Sequence, residues 1–290
     1  MDHSAEAGSG ARSEFLAPAG VSGWIEVDLG AIAANVRELK RRAGSADLMA
    51  VVKADGYGHG AYPAARAALA GGASSIGVAQ LTEALAVRAA GIKAPMLTWL
   101  YVPGADFAAA LLADIDLAVS TDWALAEVIA AVRSTGKPAR IHLKVDTGLA
   151  RNGAFGADWS ALVAQAAAVA AEGAIEIVGV WSHFAYADSP EHPTVRAQQE
   201  VFEAAAAEVE RAGIRGFQRH LANSAATLTN PSAHYDLVRP GLAIYGLSPT
   251  PDIATSAEFG LREAMRVVSR VANVKTVPAG QGVSYGHTYV

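Results

Sequence analysis

The sequence predicts a (β/α)8 barrel followed by the start of a mainly β unit, and three observations lead there. From Trp24 to Gly246, short apolar runs alternate with Ala- and Leu-rich amphipathic segments, the texture of parallel βαβ units. About eight or nine such runs fall in this stretch, a number that suits a closed barrel better than an open doubly wound sheet. No Gly-x-Gly-x-x-Gly opens a helix after the first strand, which argues against a dinucleotide-binding fold.

In chain order, Trp24–Leu29 reads as a strand. Ala31–Ala43 reads as a helix, with Ile32, Val36 and Leu39 on one face. A second strand ends at Lys53, and a helix follows over Tyr62–Ala70. Further strands are expected at Ser75–Ala79, Met96–Leu100, Ile115–Ser120, Arg140–Val145, Glu176–His183, His220–Ala222 and Leu237–Ile244. Helices are expected at Thr82–Ala90, Phe107–Leu112, Asp122–Ser134, Asp158–Ala171 and Thr194–Ala212. After Gly246 the texture changes. Ser248-Pro249-Thr250-Pro251 reads as a linker, and Met265–Thr276 alternates like a half-exposed antiparallel strand. The expected organisation is a flexible leader over 1–22, a barrel over 23–247, and a linker with the first strands of a β domain over 248–290. Those last strands are too few to close a core, so the β unit reads as one that continues beyond Val290.

Composition narrows the function. The chain has 290 residues, is 52% hydrophobic and carries a net charge of −5 with scattered lysines and arginines, so no basic face for nucleic acid is expected. It contains no cysteine, which excludes disulfides, thiolate metal ligands and a cysteine nucleophile. The Ala-rich stretch 161–180 is broken by Glu172 and Glu176, so it does not read as a membrane span. Residues 1–22 lack a secretory pattern, and the expected location is the cytoplasm.

Barrel active sites lie at the C-terminal ends of the strands, so the polar residues there are the candidates. Lys53 ends a buried strand and enters the glycine-rich turn Ala54-Asp55-Gly56-Tyr57-Gly58-His59-Gly60. Partial desolvation lowers a lysine's pKa, and a neutral amine can attack a carbonyl to form an imine; the alternative is a lysine snorkelling to solvent. Tyr57 sits within reach of the same pocket. Lys144-Val145-Asp146-Thr147-Gly148-Leu149-Ala150-Arg151 is either an exposed ion-pair loop or a mouth in which Arg151 holds a carboxylate. His183 ends the next strand. His183, Asp188 and His192 are too irregularly spaced for a metal site. Asn223 and Ser224 begin a helix, and Arg239-Pro240-Gly241-Leu242 offers backbone N–H groups beside a glycine. Together these loops read either as a phosphate site or as ordinary helix capping with Arg239 in a salt bridge. A reactive lysine opposite a phosphate site suits pyridoxal 5′-phosphate held at both ends.

Six stretches, in order, then carry a resemblance. Ala50-Val51-Val52-Lys53-Ala54-Asp55-Gly56-Tyr57-Gly58-His59-Gly60, Lys144 through Arg151, Ser182-His183-Phe184, Ala222-Asn223-Ser224, Val238-Arg239-Pro240-Gly241 and Val283-Ser284-Tyr285-Gly286 resemble the motifs of bacterial alanine racemases. The resemblance covers Trp24 to the last residue. It implies pyridoxal phosphate on Lys53, with Lys53 and Tyr285 acting as bases on opposite faces of alanine, and Tyr285 supplied by the partner subunit of a homodimer. It further implies that Tyr57, Asn223, Ser224, Gly241 and Leu242 lie at the cofactor and its phosphate. Arg239, backed by His220, would contact the pyridine nitrogen. Arg151 and His183 would lie near the substrate carboxylate, and Lys144 occupies a position that is carbamylated in some members. The expected role is to supply D-alanine for peptidoglycan. The family's β domain continues well past Tyr285, so a chain stopping at Val290 is expected to hold the cofactor yet to be slow or inactive. A non-catalytic pyridoxal phosphate barrel of the vitamin B6 homeostasis type is the alternative, and the Tyr285 motif speaks against it. A decarboxylase with the same barrel and β domain would need a cysteine in that domain.

Overall fold

Eight parallel strands wrap into a barrel in the computed structural model, which describes residues 19–290. The expected leader lies almost wholly outside the described residues. Two units are present, 27–265 and a smaller one made of 19–26 with 266–290.

In the large unit the strands are β2 (Asp47–Val51), β3 (Ser75–Gln80), β4 (Met96–Leu100), β5 (Asp116–Val119), β6 (Ala139–Lys144), β7 (Ile175–Trp181), β8 (Gln218–His220) and β9 (Leu237–Val238). The helices are α1 (Leu29–Ala43), α2 (Lys53–Tyr57), α3 (Ala61–Ala70), α4 (Leu81–Ala89), α5 (Phe107–Leu112), α6 (Asp122–Thr135), α7 (Ala157–Ala171), α8 (Pro193–Arg211) and α9 (Ser224–Thr229). The sheet runs β8-β7-β6-β5-β4-β3-β2-β9, every paired strand parallel. Its two ends meet through Asp236 N–H donating to Arg219 O and Arg239 N–H donating to Ala222 O. That junction makes the sheet a barrel.

Packing follows the two periods of the sequence. Ile32, Val36 and Leu39 of α1 are fully buried, as their spacing on one helical face requires. Inside the barrel, Met49, Leu97, Ala118, Trp181 and Leu237 form a layer drawn from five strands. Gly77 on β3 keeps room in that layer, because a Cβ there would sit 2.9 Å from Met49 Sδ and 3.0 Å from Trp99.

Within the large unit two expectations differ. Leu237–Ile244 is not one strand. After the two residues of β9, Pro240 cannot donate to a ladder, and the chain turns into a 3-10 segment, Leu242–Tyr245. Residues 248–264, assigned with the linker 248–251 to the C-terminal unit, pack into the large unit, with Phe259, Leu261 and Ala264 buried. Buried Asn35 of α1 fastens this segment: its amide donates to Ile244 O (3.1 Å) and Arg262 O (2.8 Å) and accepts from Arg262 N–H (2.8 Å). A single asparagine gives little warning of this, since its partners lie more than two hundred residues away in sequence.

In the small unit, β1 (Gly23–Val27) pairs with β10 (Met265–Ser269) outside the barrel, so the first predicted strand is not a barrel strand. Arg266 is ion-paired with Glu26, and Trp24 Nε1 donates to the same carboxylate at 2.8 Å. Val267, Val271 and Val274 are exposed, and so is Tyr285 in its short 3-10 turn.

Candidate active site

The C-terminal ends of β2, β6, β7, β8 and β9 surround a cavity of about 300 Å³ lined by Lys53, Tyr57, Lys144, Arg151, Trp181, His183, Asn223, Ser224, Arg239, Gly241 and Leu242, among others. Every site residue expected from the large unit is therefore in one place or directly behind it, His220 being the residue behind. Tyr285 belongs to the other unit.

Lys53 is half-buried at the end of β2 and opens α2, which is a left-handed turn. Ala54, Asp55, Gly56 and Tyr57 have φ between 51° and 64°. Three of these carry side chains, and each such residue in the left-handed region costs roughly 1–2 kcal/mol. Side-chain hydrogen bonds hold the turn. Glu83 accepts from Ala54 N–H at 2.6 Å as well as from Ala79 and Gln80 N–H, and Asp55 accepts from Ala61 N–H at 2.7 Å. Burial, helped by the nearby Arg151 charge and opposed by Glu83, holds the Lys53 amine below the ordinary lysine range.

Across the cavity, Ser224 Oγ accepts from Gly241 N–H (2.9 Å) and Ala243 N–H (3.2 Å). Gly241 N–H is thus already bonded, contrary to its reading as a free donor. The α9 cap is Asn223, whose Oδ1 accepts from Ala226 N–H at 3.1 Å, so capping does not explain Ser224. Gly241 leaves room for Tyr57: a Cβ there would stand 2.5 Å from Tyr57 Oη, so the phenol would have to shift.

Arg239 is buried with no carboxylate ion-paired to it among the described residues. Its Nη2 donates to Ser182 O (2.7 Å) and Leu221 O (3.3 Å), its Nη1 lies 3.3 Å from His220 Nδ1, and its Cζ sits 4.8 Å above the Trp181 ring. The salt bridge considered for it is therefore absent. Lys144 Nζ stands over the same ring at 4.3 Å. Burial, then the charges of Arg239 and Arg151, push Lys144 down to about 7. The same causes, burial first, hold His183 at about 3, and burial lowers Arg239 to about 9. The Asp146 carboxylate is spent on the backbone N–H groups of Gly148, Leu149 and Ala150, which leaves Arg151 to the cavity mouth. The ion-pair loop is therefore a tight turn instead.

Trp181 and Glu83 are the residues that sequence reasoning missed. The first forms the floor under two cations, and its own indole N–H is buried without a partner. A tryptophan directly before Ser182-His183, and a glutamate three residues after Gln80 in a capping box, were the available signals. His192, weighed as a metal ligand, instead caps α8 by accepting from Thr194 N–H.

A barrel whose strand ends carry a lowered lysine, a buried arginine without a carboxylate and a hydroxyl–glycine cradle offers the chemistry that would suit a phosphorylated aldehyde held at both ends. The residues fit such a group: four basic side chains face a cavity whose only lining carboxylate among the described residues is Asp188, which suits a phosphate and a substrate carboxylate. Residues 27–249 match the family model described as alanine racemase, N-terminal domain. The chain is 58% identical over 263 residues to the alanine racemase of Frankia casuarinae, covering 91% of this chain and 68% of that one. With the alanine racemase of Streptomyces coelicolor the identity is 53% over 269 residues, covering 91% and 69%. The solved alanine racemase of Streptomyces lavendulae superposes with a TM-score of 0.91 at 52% identity, covering 94% of this chain and 71% of that one. That of Bacillus anthracis, with bound L-Ala-P, does so at 0.81 and 34% identity, covering 94% and 70%. The chain belongs to the alanine racemase family.

Proposed function

We propose that the protein is a pyridoxal phosphate-dependent racemase that interconverts L- and D-alanine, works in the cytoplasm as a homodimer, and supplies D-alanine for the cell wall. The observation that supports this most is the joint placement of Lys53, Arg239 and the Ser224–Gly241–Tyr57 cradle around one cation-rich cavity. Family membership points the same way. When bound, pyridoxal phosphate supplies an aldehyde that condenses with amines and a conjugated ring that takes up the electron pair left as the Cα proton departs.

The residues' own roles follow from their surroundings. Ser224, Tyr57 and the Leu242 backbone would receive the phosphate end, with Gly241, its own N–H bonded to Ser224, keeping the space beside Tyr57 open. Arg239 remains a cation at neutral pH and would hold the ring nitrogen by donating a hydrogen bond while keeping its own proton. Arg151, at the mouth, pairs with the substrate carboxylate. His183 is neutral at neutral pH and accepts beside that carboxylate without adding charge. Lys53, with its lowered proton affinity, takes and returns the Cα proton on one face. Tyr285, supplied by the partner subunit of the homodimer, serves the opposite face, because one base cannot reach both sides without a large movement. Lys144 is an amine poised to react with CO2: an N–C bond forms, an N–H proton leaves to water, and the resulting anion lies close to the Arg151 and Arg239 charges.

Incubation with L-alanine and pyridoxal phosphate in deuterium oxide tests the reading. Loss of optical activity together with deuterium at Cα is expected. Alanine that keeps its Cα proton after prolonged incubation with saturating cofactor, long enough to reveal a roughly hundredfold slower turnover, would overturn it.

A further inference from the structure

Behind Arg239 a line of buried polar side chains crosses the barrel interior. Arg239 Nη1 lies 3.3 Å from His220 Nδ1, His220 Nε2 lies 2.9 Å from His142 Nδ1, and His142 Nε2 lies 3.7 Å from Asp116 Oδ2. The four residues come from the end of β9 and from β8, β6 and β5, and none is more than 9% exposed. Barrel interiors are ordinarily filled with branched apolar side chains, and a buried polar chain is costly unless each member is satisfied.

Donor bookkeeping fixes the direction of the line. A guanidinium only donates, so His220 Nδ1 must accept. Burial, with Arg239 and His142 alongside, holds the His220 imidazole well below its usual range, so it is neutral and carries its one proton on Nε2. That proton goes to His142 Nδ1, which leaves the His142 proton on Nε2, facing Asp116. Every donor then points from the arginine to the carboxylate. At the far end, Asp116 Oδ1 accepts from Arg140 Nε at 3.0 Å, and Arg140 pairs with Glu176. The backbone makes room for the line. A Cβ on Gly179 of β7 would overlap the His142 ring, and the β6–β7 register shifts between Ile141 and His142.

We propose that Asp116 and His142 are positioning residues: acting through His220, they fix the Arg239 guanidinium in its orientation toward the cavity and set a carboxylate behind an arginine that has none of its own. The role toward the cofactor rests on the reading of Arg239 as the partner of the pyridine nitrogen. The line of polar contacts itself does not.

Long-range proton–nitrogen spectra of the histidine-labelled chain, without added cofactor, test the line directly. Both His142 and His220 should appear as Nε2–H tautomers, and Asp116→Ala should populate the second tautomer of His142. Pyridoxal phosphate affinity should fall roughly tenfold in Asp116→Ala. Arg140→Gln, which removes the ion pairs to Asp116 Oδ1 and Glu176 but keeps the Asp116 carboxylate facing His142, should leave tautomers and affinity unchanged. His142→Asn keeps an acceptor at the Nδ1 position and should bind pyridoxal phosphate roughly tenfold more tightly than His142→Leu, which a merely space-filling role would not produce. An Nδ1–H tautomer at either histidine, or tautomers indifferent to Asp116→Ala, would overturn the proposal. Tautomers that respond while cofactor affinity stays constant would support the line and overturn instead the reading of Arg239.

Discussion

Replacing Lys144 with methionine should stabilise the protein near neutral pH and lose that advantage as pH rises. Lys144 is 4% exposed, beside two arginines, and its amine titrates at about 7 instead of 10.5. Between those two values the unfolded chain holds a proton that the native chain does not, so stability rises with pH through this window and is lowest below about 7. The slope from this group is at most about 1.4 kcal/mol per pH unit, and the whole window is worth up to about 5 kcal/mol. Methionine matches the length of the lysine stem and removes the amine. It also gives up the cation above Trp181, worth about 0.5–2 kcal/mol. Lys144→Met should therefore gain about 2–4 kcal/mol at pH 7 and less than about 1 kcal/mol near pH 10.5. Urea unfolding of both chains in CO2-free buffer, followed by tryptophan fluorescence from pH 7 to 10, measures the difference, in which the other titrating groups cancel. A stability difference that stays constant over that range would show that the burial argument is wrong.

Four further outcomes are expected. Adding carbon-13 bicarbonate at pH 7 should give a carbamate resonance in the native chain and recover part of its stability deficit, with neither effect in Lys144→Met. Borohydride reduction of the pyridoxal phosphate-loaded protein should label Lys53, as read by peptide mass, and a label elsewhere would displace Lys53 from its role. Gly241→Ala, which drives a methyl into Tyr57 Oη, should weaken pyridoxal phosphate binding by about tenfold or more while changing the affinity for unphosphorylated pyridoxal far less; equal losses for both would place the phosphate elsewhere. Tyr285→Phe should leave the Lys53 label intact and abolish interconversion of the enantiomers, and retained racemisation measured by optical rotation would remove it as the second base.

The barrel was legible because its two periods are written locally. The Ile32, Val36 and Leu39 spacing needs one helical face, and the Leu48–Val52 run needs a strand buried on both sides. Lys53, Arg239 and the Ser224–Gly241 pair were legible as candidates because each follows such a strand, where barrel chemistry sits. Misreadings came where a residue's partner is distant in sequence. Asn35 anchors Arg262, in a segment expected to belong to the C-terminal unit, and the fate of Gly241 N–H depends on Ser224.

Sequence alone thus determined the alternation of strands and helices, the absence of cysteine chemistry, and which side chains stand at the strand ends, since these depend on neighbours a few residues apart. Tertiary structure decided what those side chains are chemically. The lowered proton affinities of Lys53, Lys144 and His183 arise from burial and from charges brought in by other strands. The left-handed turn after Lys53 is held in part by Glu83, twenty-nine residues away from the amide it accepts from. The line from Arg239 to Asp116 exists only because four strands bring their inward positions within hydrogen-bonding or ion-pairing reach. Desolvation and electrostatic coupling are set by distance in space, and no short stretch of sequence carries that distance.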